Sequence, residues 1–150
     1  MSKICDFYRL LRSICPKAEL RPDGTGEPYH RPKRWKAAPA PLGKDIKVQG
    51  IADHGCLTCA MQIPESMYIG PFTNGWCLVQ AVVICSNVEV VVEDAKQTAK
   101  EKGVFLIPPT SRFRIRNLGE VPAELILHIW SVPTGTPLED IFNREIQTEN

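Results

Sequence analysis

From about residue 46 to residue 132, apolar and polar positions alternate with the short period of β-strands. The segments are bounded by Gly, Pro, Asn and Asp, which favour turns. No helical repeat interrupts the series, which excludes alternating strand–helix units. Short strands at this spacing predict a mostly β protein, a sandwich or barrel. The predicted strands are residues 46–52, 56–63, 76–85, 88–93, 103–107, 112–118 and 123–132.

Three connections between these strands have a recognisable composition. Asn74-Gly75 is the pair that suits a two-residue hairpin, so we expect a hairpin at residues 73–76. Residues 117–122 hold Gly, Pro and Asn and predict a second turn. The polar stretch 94–102, rich in Lys, Gln and Glu, predicts an exposed loop.

Two helices are predicted outside the strand-rich region. Residues 6–14 place four apolar side chains on one helical face, namely Phe7, Leu10, Leu11 and Ile14. Thr136 and Glu139, with Pro137 between them, form a capping box, which predicts a helix over 136–147 packed on the barrel.

Residues 16–45 hold six prolines and predict an extended arm. The expected organisation is a helix at 1–15, an arm at 16–45, a barrel at 46–135 and a helix at 136–147.

The composition is that of a globular domain. The chain has 150 residues, 43% of them hydrophobic, which suits one domain with a sizeable core. No apolar run is long enough to cross a bilayer, so we expect no membrane partner. The first residues lack the apolar stretch of a secretory signal, and we therefore expect the six cysteines to be reduced.

Charge is divided unevenly along the chain. Residues 1–47 carry eleven Lys and Arg against five acids, a net charge of +6, and the remainder carries seven against twelve, a net charge of −5. The arm holds a basic cluster with one aromatic, made of Arg31, Lys33, Arg34 and Trp35. Such a cluster contacts DNA phosphates or an acidic histone surface, or serves as a nuclear-import signal.

Cys56 and Cys59 have the C-x-x-C spacing of zinc sites. A zinc site needs a second pair of ligands, and in a strand residues three apart point to opposite faces. Buried thiols acting as small hydrophobic groups are the preferred interpretation.

The last predicted strand has an apolar face on both sides. Ala123, Leu125, Leu127 and Ile129 alternate with Glu124, Ile126, His128 and Trp130, so one set fills the interior and the other lies outside. The outer set needs a cover, either the terminal helices of the chain or a second copy. For a second copy, the candidate dimer interface is Ile126, His128, Trp130 and Trp76. A packed histidine is preferred over a catalytic base for His128.

Arg112, Arg114 and Arg116 alternate with apolar residues and therefore share one face of a strand. They are candidates for partner binding, because guanidinium groups grip carboxylates and phosphates. The preferred alternative is a solvated face in which they pair with Glu89 and Glu93.

Residues 103–130 resemble the second half-motif of a cupin, with a glycine, a hydrophobic run, Pro108, an aromatic, Asn117 and a second hydrophobic run. A metal-binding cupin has Pro-x-Gly-x-x-His there, whereas this chain has Thr110 and Phe113. It also has no His-x-His, which that family's first half-motif carries. The resemblance implies a cupin jelly roll, and without imidazole ligands we expect no metal, no cofactor and no enzymatic activity.

Among metal-free cupins, the chain is similar to the C-terminal domain of the centromere protein C family. The matching segments are residues 103–108, 113–118 and 125–127. This resemblance implies a homodimerising module of a longer kinetochore scaffold in the nucleus, located at centromeres. It also implies docking of factors that load the centromeric histone.

Two departures limit what the resemblance implies. The family's histone-binding motif, an Arg-rich segment ending in paired aromatics, has only a poor echo in Arg31, Arg34 and Trp35. Thr110 also replaces the turn glycine. We therefore expect dimerisation and partner docking, with DNA or nucleosome contacts left to the basic arm. Two alternatives stay open: a cupin-type enzyme or ligand-binding barrel, and nucleic-acid binding through the arm.

Overall fold

The computed structural model describes residues 5–15, 35–53 and 56–132. This part of the chain is mostly β-strand with one short α-helix and one 3₁₀ turn at Ala40–Leu42. The elements are β1 (Cys5–Asp6), α1 (Phe7–Arg12), β2 (Lys36–Ala37), β3 (Lys47–Asp53), β4 (Cys56–Ile63), β5 (Tyr68–Thr73), β6 (Cys77–Cys85), β7 (Val88–Val92), β8 (Ala95–Ala99), β9 (Val104–Ile107), β10 (Arg112–Asn117) and β11 (Ala123–Ser131).

The strands form two sheets that share one core. The five-stranded sheet has the order β1-β5-β10-β7-β8, and the six-stranded sheet has the order β2-β3-β4-β11-β6-β9. Every pairing is antiparallel except that of β1 with β5. Side chains from both sheets meet in a single apolar cluster. The prediction of a mostly β protein, a sandwich or barrel, is confirmed.

The seven predicted strands are all present, each within one residue of its predicted ends. β11 lies inside the six-stranded sheet and pairs along its length with β4 and β6. Its burial alternates as expected, since Ala123, Leu125, Leu127 and Ile129 are buried.

The N-terminal helix is present but shorter than predicted. Asp6 caps α1 by accepting a hydrogen bond from the Tyr8 backbone N–H at 3.1 Å. Phe7 and Leu11 are fully buried, and the other two predicted apolar residues, Leu10 and Ile14, pack partly buried against the core. The helix therefore uses the predicted face.

The prediction of a hairpin at Asn74-Gly75 is wrong. β5 and β6 flank this turn but belong to different sheets. The Asn74 side chain is buried, where its amide donates to the carbonyls of Cys77 and Pro108 and its oxygen accepts from the Ser111 N–H. The hydrogen bonds of this side chain hold the crossover from one sheet to the other. The hairpin preference of Asn-Gly describes only the backbone of the turn and does not include such side-chain bonds.

The prediction of an exposed loop at 94–102 is also wrong in part, because this stretch contains the strand β8. β8 is an edge strand of its sheet, and four of its five side chains are exposed. A strand with no buried face has no apolar alternation to detect. Polar side chains of this kind also discourage edge-to-edge pairing.

The apolar pattern does not predict β5, because Gly70 and Pro71 interrupt its middle. These residues weaken a strand pattern and often mark an irregular pairing. The pairing of β5 with β10 does shift register between Phe113 and Ile115. The short strands β1 and β2 are likewise not predicted. The arm up to residue 34 and the helix predicted at 136–147 lie outside the described residues.

Candidate functional site

Phe113 stands at the motif position where a metal-binding cupin has histidine, and its ring is buried in the core. Phe7 meets it edge to face, with ring centroids 5.1 Å apart. Phe72 lies 5.3 Å from Phe7 and 6.0 Å from Phe113. Contacts of this geometry are worth about 0.5–1.5 kcal/mol each beyond area burial. An aromatic cluster therefore fills this part of the interior.

The residues present do not fit a resident metal ion at that position. Within 5–15, 35–53 and 56–132 there is no group of three His, Cys, Asp or Glu side chains close enough to hold one. The buried polar side chains there are amides and hydroxyls, of which Asn74 and Asn117 bond to backbone groups of neighbouring turns. Their hydrogen bonds hold the fold together.

The C-x-x-C cysteines point in opposite directions, as predicted from their strand spacing. Cys59 faces Leu127 in the register and is fully buried, whereas Cys56 is opposite Trp130 on the outer side. Cys15 reaches Cys59 from the segment after α1. The hydrogen bond between the two thiols raises the pKa of Cys59 well above its ordinary value, with burial adding to it, and lowers the pKa of Cys15.

The outer face of the six-stranded sheet is apolar across several strands. We call it the apolar face; the register places Ala60, Ile126, Val82 and Val104 in one row and Thr58, His128, Gln80 and Leu106 in the next. A third row holds Cys56, Trp130 and Leu78. These rows hold no Lys, Arg, Asp or Glu. In these rows Val104 is 54% exposed, whereas Cys56, Thr58, Ala60 and Leu78 are buried; Ile84, further along β6, is 46% exposed.

His128 and Trp130 form the centre of the apolar face. Their rings stack with centroids 5.9 Å apart and planes 29° apart. Nδ1 of His128 lies 3.2 Å from the hydroxyl oxygen of Thr58, its direct neighbour on β4. These contacts hold both rings in one orientation. Sequence reasoning misses Thr58 as a partner because the pairing of β4 with β11 is not local.

Trp76, the fourth residue of the candidate dimer interface, lies in the turn before β6 and is half-buried. Its carbonyl accepts a hydrogen bond from the Val132 N–H at 2.7 Å, which continues the pairing of β6 with β11. The structure thus brings Trp76 next to the end of the strand that carries Ile126, His128 and Trp130.

The three arginines of β10 lie on the opposite side of the molecule, on the outer face of the five-stranded sheet. Arg112, Arg114 and Arg116 are all exposed and alternate with buried residues. The guanidinium of Arg114 lies over the ring of Tyr68, 5.5 Å from its centroid. Sequence reasoning misses Tyr68 because β5 itself is not predicted.

The ion pairs expected between these arginines and Glu89 or Glu93 are not formed within 4.0 Å among the described residues. Glu89 is opposite Arg116 in the register but makes no such contact. The Glu93 carboxylate instead accepts a hydrogen bond from the Arg112 backbone N–H at 2.9 Å. The three arginines are exposed to solvent, as the preferred alternative predicts. The predicted ion pairs with Glu89 and Glu93 are not formed within 4.0 Å among the described residues.

The basic cluster lies mostly outside the described residues, which include Trp35 but not Arg31, Lys33 or Arg34. Trp35 is half-buried and lines a surface hollow of about 520 Å³ together with Lys44 and Lys47. No α-helix in the described ranges is long and apolar enough to cross a membrane.

The fold is that of the cupin jelly rolls. The Schizosaccharomyces pombe Cnp3 cupin domain superposes with a TM-score of 0.57 at 16% identity, covering 61% of this chain and 68% of that one. A predicted oxalate decarboxylase from Thermotoga maritima gives 0.55 at 12% identity, covering 58% and 81%.

A Cupin 2 conserved barrel protein from Salinispora arenicola gives a TM-score of 0.54 at 14% identity, covering 69% of this chain and 87% of its own. No protein-family model matches the sequence, and no curated protein matches it either. At these identities the similarity establishes the cupin fold alone. The similar structures include both enzyme-like cupins and the Cnp3 domain.

Proposed function

We propose that this chain is a non-enzymatic homodimerisation module, and that the apolar face is its self-association surface. The observation that carries the proposal is the contrast between the two outer faces. One displays three arginines, whereas three adjoining rows of the other hold no formally charged residue, and Glu124 and Lys47 stand in the row beside them. Interface cores are depleted in charge, as these rows are, and they favour aromatic anchors, for which Trp130 is the candidate.

A two-fold dimer suits this face. In such a dimer the same patch is used by both copies, so one apolar row covers another. Trp130, stacked on His128 and only partly exposed, is preorganised in the way that interface anchors are. Ordering these side chains on association therefore costs little entropy.

The dimer is tested by sedimentation velocity at micromolar concentration with the variants Trp130→Glu and Ile126→Glu. A charge buried at the centre of the interface is expected to weaken dimerisation about 30-fold or more, the effect of losing a strong anchor. The control is Leu118→Glu, which adds the same charge at an exposed residue after β10 and leaves the dimer intact. A monomeric parent chain, with its apolar face covered by its own segments, would contradict the proposal.

We further propose that the dimer acts as a docking platform at centromeres, for factors that load the centromeric histone. Support comes from the resemblance to the centromere protein C family over residues 103–130 and from the fold shared with the Cnp3 cupin domain. The aromatic filling around Phe113 is consistent with a role other than metal chemistry.

This location is tested by imaging the fluorescently tagged chain against centromeric chromatin in cells of its source. Foci that coincide with centromeres are expected, and they should weaken in the Trp130→Glu variant, because two copies hold a multivalent site more tightly than one. Leu118→Glu is again the control. A signal spread evenly over the cell for the parent chain would refute a centromeric role.

A further inference from the structure

The arginine face, which we define as Arg112, Arg114 and Arg116 with Tyr68, is a fully displayed row of cations. The three arginines are exposed, and Tyr68 is 52% exposed, so the row lies open to solvent. Residues two apart on a strand are separated by roughly 7 Å. The row therefore presents three guanidinium groups at a regular interval.

The carboxylates nearest to this row form no ion pair with it within 4.0 Å among the described residues. Glu93 binds the backbone of Arg112 twice: its own N–H donates to the Arg112 carbonyl at 2.8 Å, and its carboxylate accepts from the Arg112 N–H at 2.9 Å. Its carboxylate is therefore held at the backbone. Glu89 stands opposite Arg116 without an ion pair within 4.0 Å among the described residues.

Two features make the row a binding surface of defined shape. A surface hollow of about 370 Å³ opens between Arg112 and Arg114, and Pro71, Val91, Glu93 and Asp94 are among the residues that line it. The stacking of Arg114 on Tyr68 keeps that guanidinium over the sheet. A carboxylate that enters the hollow beside Arg112 and Arg114 can meet two guanidinium groups.

We propose that the arginine face binds an extended acidic peptide segment of a partner protein, with Asp or Glu at alternate positions. An extended chain repeats its side chains on one face every two residues, the same interval as the arginines. Three successive acidic side chains therefore align with Arg112, Arg114 and Arg116. This inference rests on the proposed docking function and specifies its site and the chemistry of the docked segment.

A peptide fits this face better than a nucleic acid does. Glu89 stands opposite Arg116, Glu93 and Asp94 line the hollow, and residues 48–150 carry seven basic against twelve acidic residues, a net charge of −5. A nucleic acid brings phosphates across a wide surface and is repelled by such surroundings. A peptide can place its few carboxylates on the row alone.

The probe is a fluorescent twelve-residue peptide with Glu at alternate positions and Ser and Thr between them. Fluorescence anisotropy with the full chain should show salt-sensitive binding, and the same peptide with Gln in place of Glu should bind at least about tenfold more weakly. A variant carrying Arg112→Gln, Arg114→Gln and Arg116→Gln should lose affinity by about tenfold or more.

The matched control carries Lys36→Gln, Lys44→Gln and Lys47→Gln, which removes the same charge from exposed positions near the start of the other sheet. It should bind the Glu peptide like the parent chain. Equal binding by the arginine variant, equal binding of the Gln peptide, or tighter binding of a single-stranded oligonucleotide of similar charge would each overturn the proposal.

Dimerisation is measured separately from peptide binding. The arginine variant should sediment as the parent chain does, because the arginine face is distant from the apolar face. The Trp130→Glu chain should bind the peptide with the parent's affinity per subunit. Failure of peptide binding with the dimer intact therefore rejects only the acidic-peptide site.

Discussion

Asn117 closes β10, and its carboxamide is buried beneath the turn that follows, with 1% of the residue exposed. Its amide donates to the carbonyls of Ile63 and Val121, at 3.1 and 2.8 Å. Its oxygen accepts from the Gly119 N–H and the Ser86 hydroxyl, each at 2.9 Å. One side chain thus joins the end of β4, the loop after β6 and the turn into β11.

We expect Asn117→Ala to lower the free energy of unfolding by about 2–3 kcal/mol, because it leaves buried donors and acceptors unpaired. The control is Asn87→Ala, because Asn87 is exposed and its structural hydrogen bond uses the backbone carbonyl. That change should stay within about 0.5 kcal/mol. Urea denaturation measures both, and equal losses in the two variants would show that the Asn117 network adds nothing.

Phe113 illustrates how much, and how little, one position in a sequence reveals. Its place in the cupin motif indicates that the histidine of a metal-binding cupin is replaced, and the folded chain adds that Phe7 and Phe72 pack on it. The packing could not be foreseen, because the three residues come from β10, α1 and β5, which are far apart along the chain. Local patterns identify which residue is present; contacts between distant elements need the folded chain.

At the scale of elements, α1 is joined to the barrel by both of its ends. Phe7 and Leu11 enter the core, and the segment after the helix passes closely over Gly50 of β3. A Cβ at Gly50 would collide with the Ile14 carbonyl oxygen and would lie 2.9 Å from the Cα of Cys15. Glycine is required here because two backbones approach each other.

We expect Gly50→Ala to displace the segment after α1 and loosen the helix, because backbone atoms cannot yield as a flexible side chain can. Trypsin cleavage after Arg9 and Arg12, both exposed, should become about tenfold faster as the local opening free energy falls. Gln49→Ala, one residue earlier, is the control and should be cleaved like the parent chain. Indistinguishable cleavage of the two variants would mean that the close approach at Gly50 does not hold the helix.

Elements with an uninterrupted buried face were predictable, and those without one were not. β11 alternates buried and outward residues, and its bounds follow from that pattern. β8 has four exposed side chains, and β5 is interrupted by Gly70-Pro71, so neither has a clean period. The turn at Asn74-Gly75 has hairpin composition, but the destination of its flanking strands is fixed by core packing, which a four-residue window does not contain.

At the scale of the whole molecule, the two sheets present surfaces of opposite character. The sequence predicts the apolar set on β11 and the arginines on β10, but only the register shows how each continues across neighbouring strands. Val82 and Val104 extend the row of Ile126, and Tyr68 lies beneath Arg114. Self-association through one face leaves the other available, so a dimer would offer two arginine faces to its partners.

The parallel pairing of β1 with β5 has a practical consequence for anyone who subclones this chain. The composition changes near residue 46, which makes that position an obvious place to truncate the chain. Such a fragment would lack the two-residue strand that shields the β5 edge and the phenyl ring that sits against Phe72 and Phe113. An unshielded strand edge beside uncovered aromatic surface invites aggregation. The smallest well-behaved piece therefore has to keep residues 5–15, although a proline-rich stretch separates them from the barrel in the linear sequence.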